Sequence, residues 1–189
     1  VITSTGYSVN GGEEIAYTGD YVISQRDYDT AADMDISVVS GAHYILLNGI
    51  NITGGLSVSE AVSVQLDGGS GENVLAADEA AFDVSGSLNI NSGRYVLTGT
   101  APARVKSSGA VCNDGGDINV NGTQNGILSE LGTFSQQGGS LDINGGQYGV
   151  LCTYGTFEVL GGSVKISGGT SDIKSDAAVK IIGGCMKLI

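Results

Sequence analysis

The sequence predicts an all-β chain wound into a right-handed, three-faced parallel β-helix of about seven turns, each of about 22–24 residues. Three observations carry that expectation. Apolar residues and Gly-Gly pairs recur along the chain with that same period. Inside each copy apolar and polar residues alternate, the period of a strand with one buried face. Glycine supplies 32 of the 189 residues, more than twice ordinary usage, as a fold with many sharp corners requires.

The copies can be followed in both directions. Phe134-Ser-Gln-Gln-Gly-Gly-Ser-Leu141-Asp-Ile143 is matched one period later by Phe157-Glu-Val-Leu-Gly-Gly-Ser-Val164-Lys-Ile166, and once more by Val179-Lys-Ile-Ile-Gly-Gly-Cys-Met186-Lys-Leu188. Upstream the pattern is taken up by Val111-Cys-Asn, by Phe82-Asp-Val84, by a copy with Val58, Val64 and Leu66, and by Ile36-Ser-Val38. A third alternating segment follows each pair, with Ile127, Val150 and Ile173 again one period apart. Three strands per copy leave no room for a helix. Stacking at about 4.8 Å per turn then converts equivalent positions into interior columns. The expected columns are Phe82–Val111–Phe134–Phe157–Val179, Leu88–Ile118–Leu141–Val164–Met186 and Ile90–Val120–Ile143–Ile166–Leu188. Asn113 over Gln136 is expected to form an internal amide ladder. Asn91, Asn121, Asn144 and Ser167 are expected to stack just before corners, where asparagine tolerates left-handed backbone.

Residues 1–35, with Tyr7, Val9, Ile15, Tyr17 and Val22, do not fit the repeat and are expected to cap the first turn, leaving 36–189 for the β-helix. The interval from Leu97 to Val111 is twice that from Ile127 to Phe134, so a surface loop insertion is expected near 98–106, carrying Pro102, Arg104 and Lys106. A start at Val1 without an initiator methionine or leader reads as a mature or trimmed piece. Cys112, Cys152 and Cys185 lie far apart with no Cys-x-x-Cys pair, which speaks against zinc and predicts free, mostly buried thiols.

Charge and composition bound the function. Eight basic against 20 acidic residues, a net charge of −12, make nucleic acid an unfit partner. No apolar run approaches the roughly 20 residues of a membrane-spanning helix. For catalysis, the outward column Asn89, Asn119, Asp142, Lys165, Lys187 holds a single carboxylate with a lysine one turn on, a pair of opposite surface charges rather than a dyad, and His43 stands alone. The acidic segment Asp27, Asp29, Asp33, Asp35 lacks the glycine and glutamate of a calcium loop and reads as a solvated loop. For binding, Tyr95 and Tyr148 are expected to share an outward column with Asn125 between them, and Tyr154 to lie on the following corner. Rings two rungs apart, about 9–10 Å, suit stacking on alternate sugars of an extended glycan.

The run Asn125-Gly-Ile-Leu-Ser, then Gly-Gly-Ser-Leu-Asp-Ile-Asn-Gly-Gly, then Tyr148-Gly-Val-Leu-Cys resembles the secreted carbohydrate-binding β-helix family of cellulolytic and gut bacteria. Its members bind cellulose and acidic sugars and look like non-catalytic relatives of pectate lyases. The likeness covers roughly residues 82–189. It implies a bacterial secreted or cell-surface address and a polysaccharide or cell-surface glycan as partner. In that family an Asp-Asp-Gly-Ile segment coordinates calcium. The matching positions here are Gln124-Asn125, Gln147-Tyr148 and Ser171-Asp172, so the resemblance implies calcium only through Asp172, and no other cofactor.

The expected function is therefore a non-catalytic extracellular carbohydrate-binding module. Two alternatives stand beside it: a structural or adhesive surface module, self-associating through the exposed strand edges of its end turns, and a polysaccharide lyase.

Overall fold

The computed structural model describes residues 1–8, 13 and 15–189, among which there is no helix. Three parallel sheets wrap one core. The first face stacks Ile36–Val38, Leu56–Val58, Phe82–Val84, Ala103–Ser107, Asn125–Ser129, Tyr148–Cys152 and Ser171–Ser175. The second stacks Tyr21–Ser24, Ala42–Asn48, Ser63–Gly68, Ser87–Ile90, Ala110–Asn113, Thr133–Gln136, Thr156–Val159 and Ala178–Ile181. The third stacks Asn51–Ile52, Glu72–Ala77, Arg94–Gly99, Asp117–Gly122, Ser140–Gly145, Ser163–Gly168 and Cys185–Leu188. The chain visits the faces in that order throughout, completing seven turns between Ile36 and Leu188.

Alternation decides which side chains enter the core. On the second face Leu88, Val111, Phe134 and Phe157 lie in one buried column, with the Phe134 and Phe157 rings stacked at 5.8 Å and 25°. On the third, Tyr95, Ile118, Leu141 and Val164 form one column, and Leu97, Val120, Ile143 and Ile166 another. The expected Asn113–Gln136 ladder is present inside the core.

From Val111 onward the register agrees with the periodicity; upstream it differs by one strand. Leu88, not Phe82, pairs with Val111, while Phe82 pairs with Val105. Across this region the step from turn to turn keeps the length of the later turns, Phe82 pairing with Val105 and Val105 with Ile127, so no insertion interrupts the coil near 98–106. Ala103–Ser107 is a strand of the first face, and only Thr100 and Pro102 stand exposed at the corner before it. Arg104 is fully buried there. Its guanidinium donates to the carbonyls of Ala77 at 2.8 Å, Thr98 at 2.9 Å and Ala101 at 2.5 Å, tying one turn to the next.

The corners after the second face repeat their backbone. Gly139, Gly162 and Gly184, one turn apart, all take positive φ (63°, 72° and 77°), a conformation that disfavours any side chain. No described asparagine does so. Asn121, Asn144 and Ser167 do stack on one another, but in extended strand, and Asn91 belongs to a different corner.

At the amino-terminal end Ile2 joins the edge of the first face, its N–H donating to the Ser37 carbonyl and its carbonyl accepting from Val39. Gly6–Tyr7 then pairs antiparallel with Ile15–Ala16. The coil begins inside the expected cap, because Tyr21–Ser24 already pairs in parallel with Ala42–Asn48. Val9 lies outside the described residues. Of the three free thiols only Cys152 is buried; Cys112 is half-buried and Cys185 exposed.

Candidate functional site

The outward side chains of the third face form a largely polar surface along the coil. Because Tyr95, Leu97, Ile118, Val120, Leu141 and Ile143 turn inward, the residues between them must turn out. Three outward columns result. Arg94, Asp117, Ser140 and Ser163 make the first; Val96, Asn119, Asp142, Lys165 and Lys187 the second; Asn121, Asn144 and Ser167 the third.

Contacts along and across the rungs hold these groups in place. Ser140 Oγ donates to Asp117 Oδ1 at 2.8 Å, and Asn121 Nδ2 donates to Asn119 Oδ1 at 2.7 Å. Lys165 Nζ lies 2.8 Å from Asp142 Oδ2, the opposite-charge pair expected one turn apart. Arg94 Nε meets Glu72 Oε2 at 3.0 Å. Two shallow depressions lie on this surface. One, of about 290 Å³, is bordered by Arg94, Asp117, Asn119, Ser140 and Asp142; the other, of about 340 Å³, by Asn119, Asn121, Asp142, Asn144, Lys165 and Ser167. They share Asn119 and Asp142, whose column separates them, so the first depression lies between the first and second columns and the second runs as a groove along the coil axis between the second and third.

The predicted sugar platform is not assembled. Tyr95 is fully buried, its ring against Phe82 at 6.1 Å and its hydroxyl donating to the Ser92 carbonyl at 2.9 Å. Burial pushes its phenol far above the ordinary tyrosine value. Its column is that of Ile118, whereas Tyr148 lies in the column of Asn125 on the first face. The slip of one strand carried Tyr95 to the wrong face. Asn125 and Tyr148 do sit on successive rungs, but Asn125 is buried and its Oδ1 has no hydrogen-bond partner. Tyr148 is half-buried, with Lys174 Nζ 5.2 Å from its ring centroid. Tyr154 stands 82 % exposed on the corner between first and second faces, one turn on from the 70 % exposed Leu131.

Asp172 does not make a calcium site. Its Oδ1 accepts the Gly168 N–H at 2.9 Å, and among the described residues no three His, Cys, Asp or Glu side chains gather where they could hold a metal. Calcium takes six to eight oxygens, so the residues present do not fit it. His43 Nε2 is bonded to the Ser40 carbonyl at 2.7 Å, and its ring packs on Tyr21 at 5.6 Å.

Sequence reasoning missed the third-face groove because it gave Asn121 and Asn144 a backbone duty. The signal was present in Asp117-Ile-Asn-Val-Asn121 and Leu141-Asp-Ile-Asn144, where every second residue is polar and could be read as an outward row. Among the described residues no helix is long and apolar enough to cross a membrane. No family model, curated protein or solved structure matches the chain.

Proposed function

We propose that this chain is a non-catalytic carbohydrate-binding module, secreted or displayed on the surface of a bacterium, that holds an extended glycan along the third face. The observation that carries the reading is the axial groove edged by Asn119, Asn121, Asp142, Asn144 and Ser167. Donors and acceptors repeat there at the rung spacing of about 4.8 Å, an array suited to a chain of hydroxyl groups. A groove of exposed amides and hydroxyls gives many weak hydrogen bonds and little buried apolar area, the chemistry of a polar polymer rather than an apolar small molecule. Non-catalytic binding is favoured because the carboxylate in that groove, Asp142, is already paired with Lys165. Retention on cellulose and on acidic polysaccharides, measured by affinity electrophoresis, tests it. Replacing both Asn119 and Asn144 by alanine removes two neutral hydrogen-bonding groups, an expected loss of about tenfold in affinity. Unchanged retention of that variant, or no retention of the parent on any glycan, overturns the reading.

A second reading, self-association as an adhesive or structural module, is favoured by the last turn. Ile181, Ile182, Leu188 and Ile189 are exposed, and Ser171–Ser175, Ala178–Ile181 and Cys185–Leu188 each form the outer strand of their sheet. Edges of that kind pair with other strands. Sedimentation that rises with concentration, and is abolished by Ile182→Lys, supports it; a sharp monomer at all concentrations removes it.

A further inference from the structure

A second cavity, of about 530 Å³, opens at the amino-terminal end of the coil, away from the third-face groove. Tyr7, Tyr17 and Tyr21 form one wall. Their rings meet edge to face, with centroids 6.3, 6.1 and 5.2 Å apart and interplanar angles of 84°, 87° and 70°. Edge-to-face packing leaves the three rings inclined to one another, and Tyr17 remains 43 % exposed. Two hydroxyls are fixed to backbone, that of Tyr17 donating to the Asp20 carbonyl at 2.8 Å and that of Tyr21 to the Gly6 carbonyl at 3.1 Å, which locks both rings in orientation.

The remaining walls divide by chemistry. Ile23 and Ile36 supply aliphatic surface, while Asp20 and Asp35 are the acidic residues of the lining. Asp35 is oriented by accepting the Gly55 N–H at 2.9 Å on Oδ1. The one cation among the described lining groups, the Val1 ammonium, already donates to the Ser8 carbonyl at 2.9 Å.

We infer that this cavity binds a small organic cation with an apolar body, of the quaternary-ammonium class. Aromatic rings attract such a cation through their negative faces, and the methyl groups that surround its charge lose little hydration on entering an apolar pocket. The two acidic residues of the lining and the chain's net charge of −12 favour the cation further. A bare metal ion is unsuited to the same walls, since aliphatic and aromatic carbons cannot replace its water ligands. The inference is independent of the glycan reading, because no residue is shared between the two cavities.

Calorimetric titration of the full chain with choline, against 3,3-dimethylbutan-1-ol as its uncharged isostere, is the test. Saturable one-to-one binding is expected for choline, with the alcohol at least about tenfold weaker. Tyr17→Leu and Asp20→Asn, both at exposed positions, are each expected to weaken choline about fivefold, whereas Asn144→Ala in the other groove leaves it unchanged. Equal binding of choline and the alcohol, or no saturable binding of choline to the parent chain, overturns the inference.

Discussion

The carboxamide of Asn113 lies one rung from that of Gln136, its Nδ2 donating to Gln136 Oε1 at 2.9 Å inside the core. The pair also closes the corner beside it. Asn113 Oδ1 accepts the Gly116 N–H at 2.8 Å, Asn113 Nδ2 reaches the Gly116 carbonyl at 3.0 Å, and Gln136 Nε2 donates to the Gly138 carbonyl. Replacing Asn113 by alanine strands the Gly116 N–H and the Gln136 oxygen in a dry interior, an expected loss of about 3 kcal/mol. Urea unfolding of Asn113→Ala, Gln136→Ala and the double variant reads the coupling directly, and the double variant is expected to lose less than the sum.

Arg104 performs a similar closure with a charge. Burial lowers the guanidinium's pKa against the opposing pull of the Asp78 carboxylate, and three carbonyls from two turns accept its hydrogen bonds. Arg104→Met is expected to cost about 2–4 kcal/mol, because it leaves those carbonyls without a donor. Arg104→Lys should recover little, since a single ammonium cannot reproduce the planar fork that reaches Ala77, Thr98 and Ala101 together. Thermal melts of the two variants check this.

Asp67 supplies an acid-sensitive element. Burial alone would raise its pKa, but hydrogen bonds from Ser92, Tyr44 and Asn91 outweigh it and hold the carboxyl below its ordinary value of 3.8. A depressed folded-state pKa contributes stability that is fully present above the unfolded value and is lost as pH falls through the folded one. The chain should therefore lose stability below about pH 3.8 in part through this group. Asp67→Asn should flatten that limb of a denaturation series while lowering stability modestly at neutral pH.

The thiols should react in a fixed order. Cys185 is exposed, whereas burial and the neighbouring Asp114 push the Cys112 thiol up to about 11, and Cys152 lies inside the core. Iodoacetamide at pH 8 is expected to label Cys185 first, Cys112 far more slowly because so little thiolate is present, and Cys152 only on unfolding. Peptide mapping over time distinguishes the three.

These residues also mark where sequence reasoning succeeded and where it did not. The coil, its seven turns and every column from Val111 onward follow from alternation and a steady repeat. Upstream, all three strands of a turn carry the same short alternation, so Phe82-Asp-Val84 could be laid on Val111-Cys-Asn113 as readily as Leu88-Asn-Ile90 could. Only the constancy of the step separates the two choices, and the likeness of Phe82 to Phe134 outweighed it. That single choice turned the strand Ala103–Ser107 into a loop and Tyr95 into a surface ring. The burial of Arg104 left no trace in the pattern, because its partners are main-chain carbonyls that any residue supplies.

Asn125 and Tyr148 occupy one position on consecutive rungs. Each coil is bonded only to the coils on either side of it, so stability is local and additive along the axis. The molecule therefore behaves as a ruler whose graduations are interchangeable cassettes. Loss or duplication of one such cassette between matched positions alters its reach by a single step of about 4.8 Å while leaving the joints on both sides intact, a route by which length can change without a new fold having to be found.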